Sequence, residues 1–201
     1  MDLKETYNLI ANGWAEAHWT KHYEWCDDYL NILAARVGKG GKILDIGCGS
    51  GEDSKFFADK GITMVGIDFS NKMIEEAKTR FPKGKFLVMD MQNMDFPSSS
   101  FDGVVAKHSL LHLRKKDLPT LLTKVNSLLK PGGWFLITLK EGIGEKEVTE
   151  IRVDKEITRF FAFYTNFEIR KLLEAAGFLV VEEALGKTTK DMALKFLVQK
   201  V

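Results

Sequence analysis

From position 42 onward, short runs of β-branched and apolar residues alternate with longer segments whose apolar positions recur every three or four residues. That alternation predicts a mostly parallel sheet covered by helices. KILDIG (42–47), ITMVGID (62–68), KFLVMD (85–90), FDGVVA (101–106) and WFLITL (134–139) are five expected strands. Each is nearly continuous in apolar residues, as strands buried on both faces are. Between them, 52–60 and 71–81 read as helices, the second with Ser70 or Asn71 as N-cap and Met73, Ile74 and Ala77 on one face. A third helix is expected over 117–129, with Asp117 as N-cap, Pro119 in its first turn and Pro131-Gly132-Gly133 ending it. Residues 166–176 form a further helix stopped by Gly177. GFLVVEEAL and MALKFLVQK, joined across GKTTKD, predict a C-terminal antiparallel hairpin at one sheet edge. The first forty residues read as two amphipathic helices, 5–18 and 22–36, capping the domain, and the polar stretch 141–158 reads as a mobile loop.

The chain has 201 residues, close to one average domain of about 150, so a single unit is expected: a helical cap over 1–40 and a core over 41–201. At this size roughly 70% of the unfolded chain's surface is buried on folding, which excludes a small disulfide-stapled scaffold. Cys26 and Cys48 lack CxxC spacing and read as reduced thiols. With 29 Lys and Arg against 28 Asp and Glu, the net charge of +1 argues against a wide phosphate-binding face, and so against nucleic acid as main partner. No apolar run approaches the roughly 20 residues of a membrane span and the N-terminus has no apolar signal core, so a cytoplasmic protein without membrane contact is expected.

Chemistry concentrates in ILDIGCGSG (43–51), where a buried strand runs into Gly47, Gly49 and Gly51 and then a helix. Glycines there let a ligand approach main-chain N–H groups at the carboxyl end of the sheet. Asp68 ends the next strand, where a carboxylate accepts hydrogen bonds from ribose hydroxyls, and the two features together specify an adenosine ligand. A dinucleotide fingerprint beginning at Gly47 needs glycine at 52, and Glu52 stands there, opposing a pyrophosphate. Gly186-Lys187-Thr188 is no Walker loop, since Val181 replaces its first glycine. Asp45, Glu52 and Asp53 instead make an acidic mouth suited to an ammonium or sulfonium group.

With Asp45-Ile46-Gly47-Cys48-Gly49-Ser50-Gly51, Asp68 in VGIDFS, Asp90 in VMDMQNMDF and LLKPGGWFLIT in order, the chain resembles the class I S-adenosylmethionine-dependent methyltransferases, closely over 42–140. The resemblance implies a Rossmann-like, doubly wound α/β sheet of seven strands, mostly parallel with an antiparallel C-terminal hairpin strand, and S-adenosyl-L-methionine as cofactor. It further implies that Asp45, Gly47, Cys48, Gly49 and Gly51 form the loop around the methionine part and that Asp68 binds the ribose. Phe69 would lie on the adenine, Asp90 and Met91 would read its edge, and Lys107 would offer its carbonyl to the methionine ammonium. Tyr7, Ala11 and Trp14 match the cofactor-capping helix of the small-molecule branch. Lys107 departs from the family pattern, in which a small or amide side chain is common there.

Cys48 reads as a small residue required for room. The i, i+4 pairs His18/His22 and His108/His112 lack a companion ligand, so no metal is expected, and His112 is expected to pack behind the fourth strand. His108, just past that strand, and Glu141 are the candidate general bases. Trp14, Trp19, Tyr23 and Trp25 are expected to pack on the sheet, and Arg114-Lys115-Lys116 to be solvated surface. Lys140, Glu141, Arg159 and Tyr164 are expected to face a methyl acceptor beyond the fifth strand. The expected reaction is methyl transfer to an oxygen, nitrogen, sulfur or carbon nucleophile of a small molecule. The alternatives are a tRNA or protein acceptor, or a noncatalytic adenosine sensor of the same fold.

Overall fold

The computed structural model describes residues 2–19, 24–187 and 192–201, with backbone alone for 24–27. His22, Tyr23, the side chains of Trp25 and Cys26, and residues 188–191 of the expected hairpin connection lie outside the described residues.

The five expected apolar runs form parallel strands β1 (Lys42–Ile46), β2 (Thr63–Asp68), β3 (Lys85–Val88), β4 (Phe101–Lys107) and β5 (Leu129–Glu141), ordered β3-β2-β1-β4-β5. Antiparallel strand β9 (Met192–Lys200) follows β5, and β8 (Phe178–Lys187) pairs with β9, completing a seven-stranded, mostly parallel sheet. Its connecting helices are α2 (Glu24–Val37), α3 (Glu52–Asp59), α4 (Asn71–Arg80), α5 (Leu118–Leu128) and α6 (Asn166–Ala175).

Alternation along the strands fills the two faces separately. Ile43, Val105 and Leu136 pack with Leu30, Leu33 and Ala34 of α2 and Phe57 of α3. Leu44, Val104, Ala106, Phe135 and Ile137 pack on the other face with Leu121, Leu122 and Val125 of α5 and Ile169 and Leu173 of α6. Each large apolar side chain so buried contributes about 1.5–3 kcal/mol. Ser70 is the α4 cap, accepting from the Met73 N–H at 3.1 Å. Asp117 makes no side-chain cap, because a 3₁₀ turn over Lys115–Asp117 leads directly into α5 and already holds it in helical geometry. No helix among the described residues is long and apolar enough to cross a membrane.

The segment 141–158 corrects the expectation of a loop. It forms strand β6 (Glu145–Arg152) and the first part of β7 (Lys155–Tyr164), paired antiparallel from Glu145↔Ala162 to Arg152↔Lys155. These two strands are additional to the seven, and β7 joins the end of β5 in parallel at Lys140↔Phe163 and Glu141↔Tyr164. The hairpin turns on Val153 and Asp154, both at positive φ (52° and 57°), a turn normally given to Asn-Gly. A β-branched residue is strained there, and the packing of Val153 on helix α1 (Leu3–His18) offsets that strain. A Cβ on Gly13 of α1 would stand 1.9 Å from Val153 Cγ1, so only glycine lets the hairpin tip seat on the helix. Ile157 joins Ile10, Ala11 and Met73 in the same cluster, and Lys155 Nζ donates to the Leu9 carbonyl at 2.8 Å. Helix and hairpin thus meet over the carboxyl ends of the strands.

Candidate functional site

Beneath α1 and the hairpin lies a cavity of about 390 Å³ at the carboxyl ends of β1, β2 and β4. Such a place is where open α/β sheets bind ligands. The turn after β1 makes one wall. Gly47 sits at φ 75°, and a Cβ there would come within 2.3 Å of Ser109 Cβ. Gly49, at φ 54°, has only Glu52 Oε2, 3.8 Å away, near the direction a Cβ would take, so a side chain would stand in the space both residues line.

Asp68 is buried at the end of β2 and is held by two backbone donors, Gly49 N–H at 3.1 Å and Ser70 N–H at 2.8 Å. Burial raises its pKa to about 6, with those two hydrogen bonds pulling the other way. Asp45 is buried beside it, and burial, then the charge of Asp53, hold its carboxyl well above the usual range. Burial likewise raises Glu52, which accepts from the Ser50 hydroxyl. Lys107 Nζ pairs with Asp53 at 2.6 Å, so this end gathers four carboxylates and one ammonium around the cavity.

The other end is made by side chains. Arg159 of β7 is 4% exposed; its Nη1 donates to the Tyr7 hydroxyl at 2.8 Å and its Nη2 to Glu150. Tyr7 Oη lies 2.7 Å from His112 Nε2, and His112 Nδ1 lies 2.7 Å from the Phe160 carbonyl. A carbonyl only accepts, so Nδ1 carries the proton. Burial, reinforced by the Arg159 and Lys140 charges, lowers the His112 pKa to about 3, leaving Nε2 bare to accept from the Tyr7 hydroxyl. Burial raises the Tyr7 phenol above its ordinary value, which keeps that donor. Lys140, Arg152 and Phe161 complete this wall.

Of the residues expected at the cofactor, Tyr7, Trp14, Asp45, Gly47, Cys48, Gly49, Asp68, Phe69, Asp90, Met91 and Lys107 all line the cavity. Gly51 does not: it caps α3 from behind, where a Cβ would meet the Phe86 ring at 2.8 Å. Asp90 accepts from Gln92 N–H at 2.8 Å at the start of a 3₁₀ turn, Met91–Asn93. Phe69 meets Tyr7 edge to face at 5.9 Å, and Trp14 stacks on His18 at 4.0 Å. His108 lines the cavity from a positive φ of 55°, its N–H held by Thr138 Oγ1 at 2.9 Å.

Two expectations at the acceptor side are corrected by strand parity. Arg159 and Phe161 share one face of β7 and line the cavity, whereas Tyr164, of opposite parity, is fully buried in the sheet core, its hydroxyl without a partner among the described residues. Lys140 lines the cavity and its neighbour Glu141 is exposed outside it. His112 and Arg152 are among the cavity residues that the sequence reading does not anticipate. His112, expected behind β4, reaches the site from a 3₁₀ turn over Leu110–His112. Arg152 was hidden in the supposed loop, where alternation in EKEVTEIR was the signal that a strand carries it. Among the described residues no His, Cys, Asp and Glu group could hold a metal ion.

A methyltransferase domain family matches residues 17–183 of the chain. An uncharacterized methyltransferase of Synechocystis is 31% identical over 164 residues, covering 74% of this chain and 72% of that protein. An O-methyltransferase of Aspergillus nomiae is 29% identical over 174 residues, covering 79% and 73%. The fold is shared with a Burkholderia thailandensis 1,6-didemethyltoxoflavin-N1-methyltransferase solved with that substrate and S-adenosylhomocysteine. That chain has TM-score 0.77 and 22% identity, with 99% of this chain and 87% of the other aligned. A [4+2]-cyclase, SpnF, shares it equally well (TM-score 0.76, 17% identity, 98% and 95%), so fold likeness alone carries no reaction.

Proposed function

This chain belongs to the class I S-adenosylmethionine-dependent methyltransferases, and from that premise we propose that it methylates a small-molecule nucleophile. The observation that carries the choice of a small acceptor is the cover over the cavity. Helix α1 and the β6–β7 hairpin close on each other through Gly13 and Val153, Leu9 and Lys155, and Tyr7 and Arg159. A folded RNA or protein needs an open approach to the reacting atoms, which this cover opposes.

The donor set fits the family's cofactor. Each Asp68 oxygen takes one backbone N–H and retains capacity to accept a ribose hydroxyl. Gly49 leaves room for close approach to the main chain, and the carboxylates of Asp45, Glu52 and Asp53 favour a cationic ligand. Phe69 offers an apolar face to the adenine, Asp90 and Met91 its edge contacts, and Tyr7 and Trp14 the cap. When bound, the cofactor supplies an electrophilic methyl group on a sulfonium. The protein's part is to exclude water and hold the acceptor in line with that methyl, a proximity effect worth up to about 7–11 kcal/mol. His108 is the base candidate that lines the cavity, and Glu141, outside it, is set aside. His112 serves instead as an acceptor fixing the Tyr7 hydroxyl.

S-Adenosylhomocysteine release, measured with a panel of small oxygen, nitrogen, sulfur and carbon nucleophiles beside bulk tRNA and a protein extract, tests the reading. Turnover with a small molecule is expected. Turnover with tRNA or protein alone would overturn it.

A further inference from the structure

The two ends of the cavity carry opposite charge. Asp45, Glu52, Asp53 and Asp68 face Lys107 at one end, four carboxylates against one ammonium. At the other end Lys140 from β5, Arg152 from β6 and Arg159 from β7 line the wall. A single carboxylate, Glu150, lies between the two guanidiniums, accepting from Arg152 Nε at 2.9 Å and from Arg159 Nη2. Two guanidiniums thus meet at one carboxylate beside an apolar wall that includes Phe161, Leu111 and Leu113. Arg159 Nε is buried with no partner among the described residues. Concentrating cationic charge at a partly desolvated wall is costly unless an anion joins it.

The remaining donors are specific. Arg159 commits both terminal nitrogens, to Tyr7 and to Glu150. Arg152 commits only Nε, so the fork of its two terminal nitrogens makes no hydrogen bond to the described residues. Its side chain is 30% exposed on the cavity wall. Lys140 lies on the same wall with Nζ 4.3 Å from the Phe161 ring centre, so an ammonium stands directly above an apolar face. A planar guanidinium fork beside an ammonium is the arrangement that receives a carboxylate or phosphate.

We propose that the methyl acceptor carries an oxyanion, a carboxylate or phosphate, on an apolar body, with Arg152 and Lys140 receiving the oxyanion and Phe161 the body. This rests on the methyl-transfer reading of the same cavity. It opposes the acidic end, which takes the cationic cofactor, to a basic end that takes an anionic acceptor, so that each ligand is repelled from the other's place.

The test uses the whole protein and begins with a calorimetric titration of S-adenosylhomocysteine. Failure to bind would count against the methyltransferase reading and is distinguishable from failure of the present one. With S-adenosylhomocysteine saturating, benzoate, phenyl phosphate, benzamide and benzylamine are then titrated by ligand-observed NMR. At least one of the two anions is expected to bind about ten-fold more tightly than benzamide, with benzylamine weakest, and their order tells carboxylate from phosphate. Arg152→Gln should remove that preference and leave S-adenosylhomocysteine affinity within about two-fold. Lys140→Met is a second variant with the same expectation should the first fail to fold. Benzamide or benzylamine matching both anions, or no binding by any of the four, overturns the proposal. So does loss of S-adenosylhomocysteine affinity in either folded variant, since the cations would then serve the cofactor's own carboxylate.

Discussion

The acidic and basic ends of the cavity are held in place by different physics. At the acidic end the groups sit on, or within a few residues of, the ends of β1, β2 and β4, and main-chain donors fix the central carboxylate. The parallel ladder that sets those strand ends is the best-buried part of the molecule. The basic end hangs on a hairpin that touches the sheet through two residue pairs of β5 and takes much of its support from α1. Backbone geometry thus defines the acidic end, proposed for the cofactor, and side-chain packing between two peripheral elements defines the basic end, proposed for the acceptor. Changes at the first should act on cofactor affinity with little effect on the hairpin, and changes at the second should do the reverse.

The largest effect is expected at Gly49. Valine there must adopt a φ of 54° and occupies the open space above Glu52, so Gly49→Val should abolish S-adenosylmethionine binding by calorimetry. The circular dichroism spectrum should stay that of the wild type, because nothing in the sheet depends on the turn's free face. Normal binding by a folded Gly49→Val protein would break the distinction between the two ends.

Next comes the seat of the hairpin. Gly13→Val drives a side chain into Val153 and should cost about 1–3 kcal/mol in urea unfolding. Amide exchange should rise over 145–160 and leave 43–51 unchanged. Tyr7→Phe removes a hydroxyl that takes the Arg159 donor and gives to His112 Nε2. The buried Arg159 guanidinium and the half-buried His112 ring then lose a partner, for about 1–3 kcal/mol, and the His112→Phe variant added to it should recover part of that loss.

A smaller effect follows from pH. The His112 pKa is lowered to about 3 by burial, whereas the unfolded chain's imidazole titrates near its ordinary value. The unfolded state therefore takes up a proton that the folded state refuses, and stability falls as pH drops from about 6.5 toward 3. Urea midpoints measured at pH 7 and pH 5 should show this fall, reduced in His112→Gln. Equal slopes in both proteins would mean that His112 is not held neutral by the fold.

The same contrast explains what was legible in the sequence. The continuous apolar strands, the glycine turn after β1 and Asp68 at the end of β2 are local signals, and their neighbours in sequence are their neighbours in space. The hairpin was misread because EKEVTEIR and KEITRFF are half-exposed strands, rich in charge, turning on Val-Asp where glycine or asparagine is the usual sign. Parity could not be set without the pairing, so Lys140 and Glu141, or Arg159 and Tyr164, were indistinguishable as pocket residues. His112 was missed because its role depends on Tyr7 and Phe160, 105 and 48 residues away.

Calorimetric titration of S-adenosylmethionine into the wild type, Asp68→Ala and Arg152→Gln bears most directly on the separation of the two ends. In the proposed role Asp68 would accept from the ribose, a contact worth about 1.5–3 kcal/mol, so its loss should weaken binding ten-fold or more, whereas Arg152→Gln should stay within about two-fold of the wild type. Wild-type affinity should itself decline as pH falls through about 6, where Asp68 takes a proton, and this decline should be shallower in Asp68→Ala. Equal affinities in the wild type and Asp68→Ala, or a loss confined to Arg152→Gln, would contradict the account.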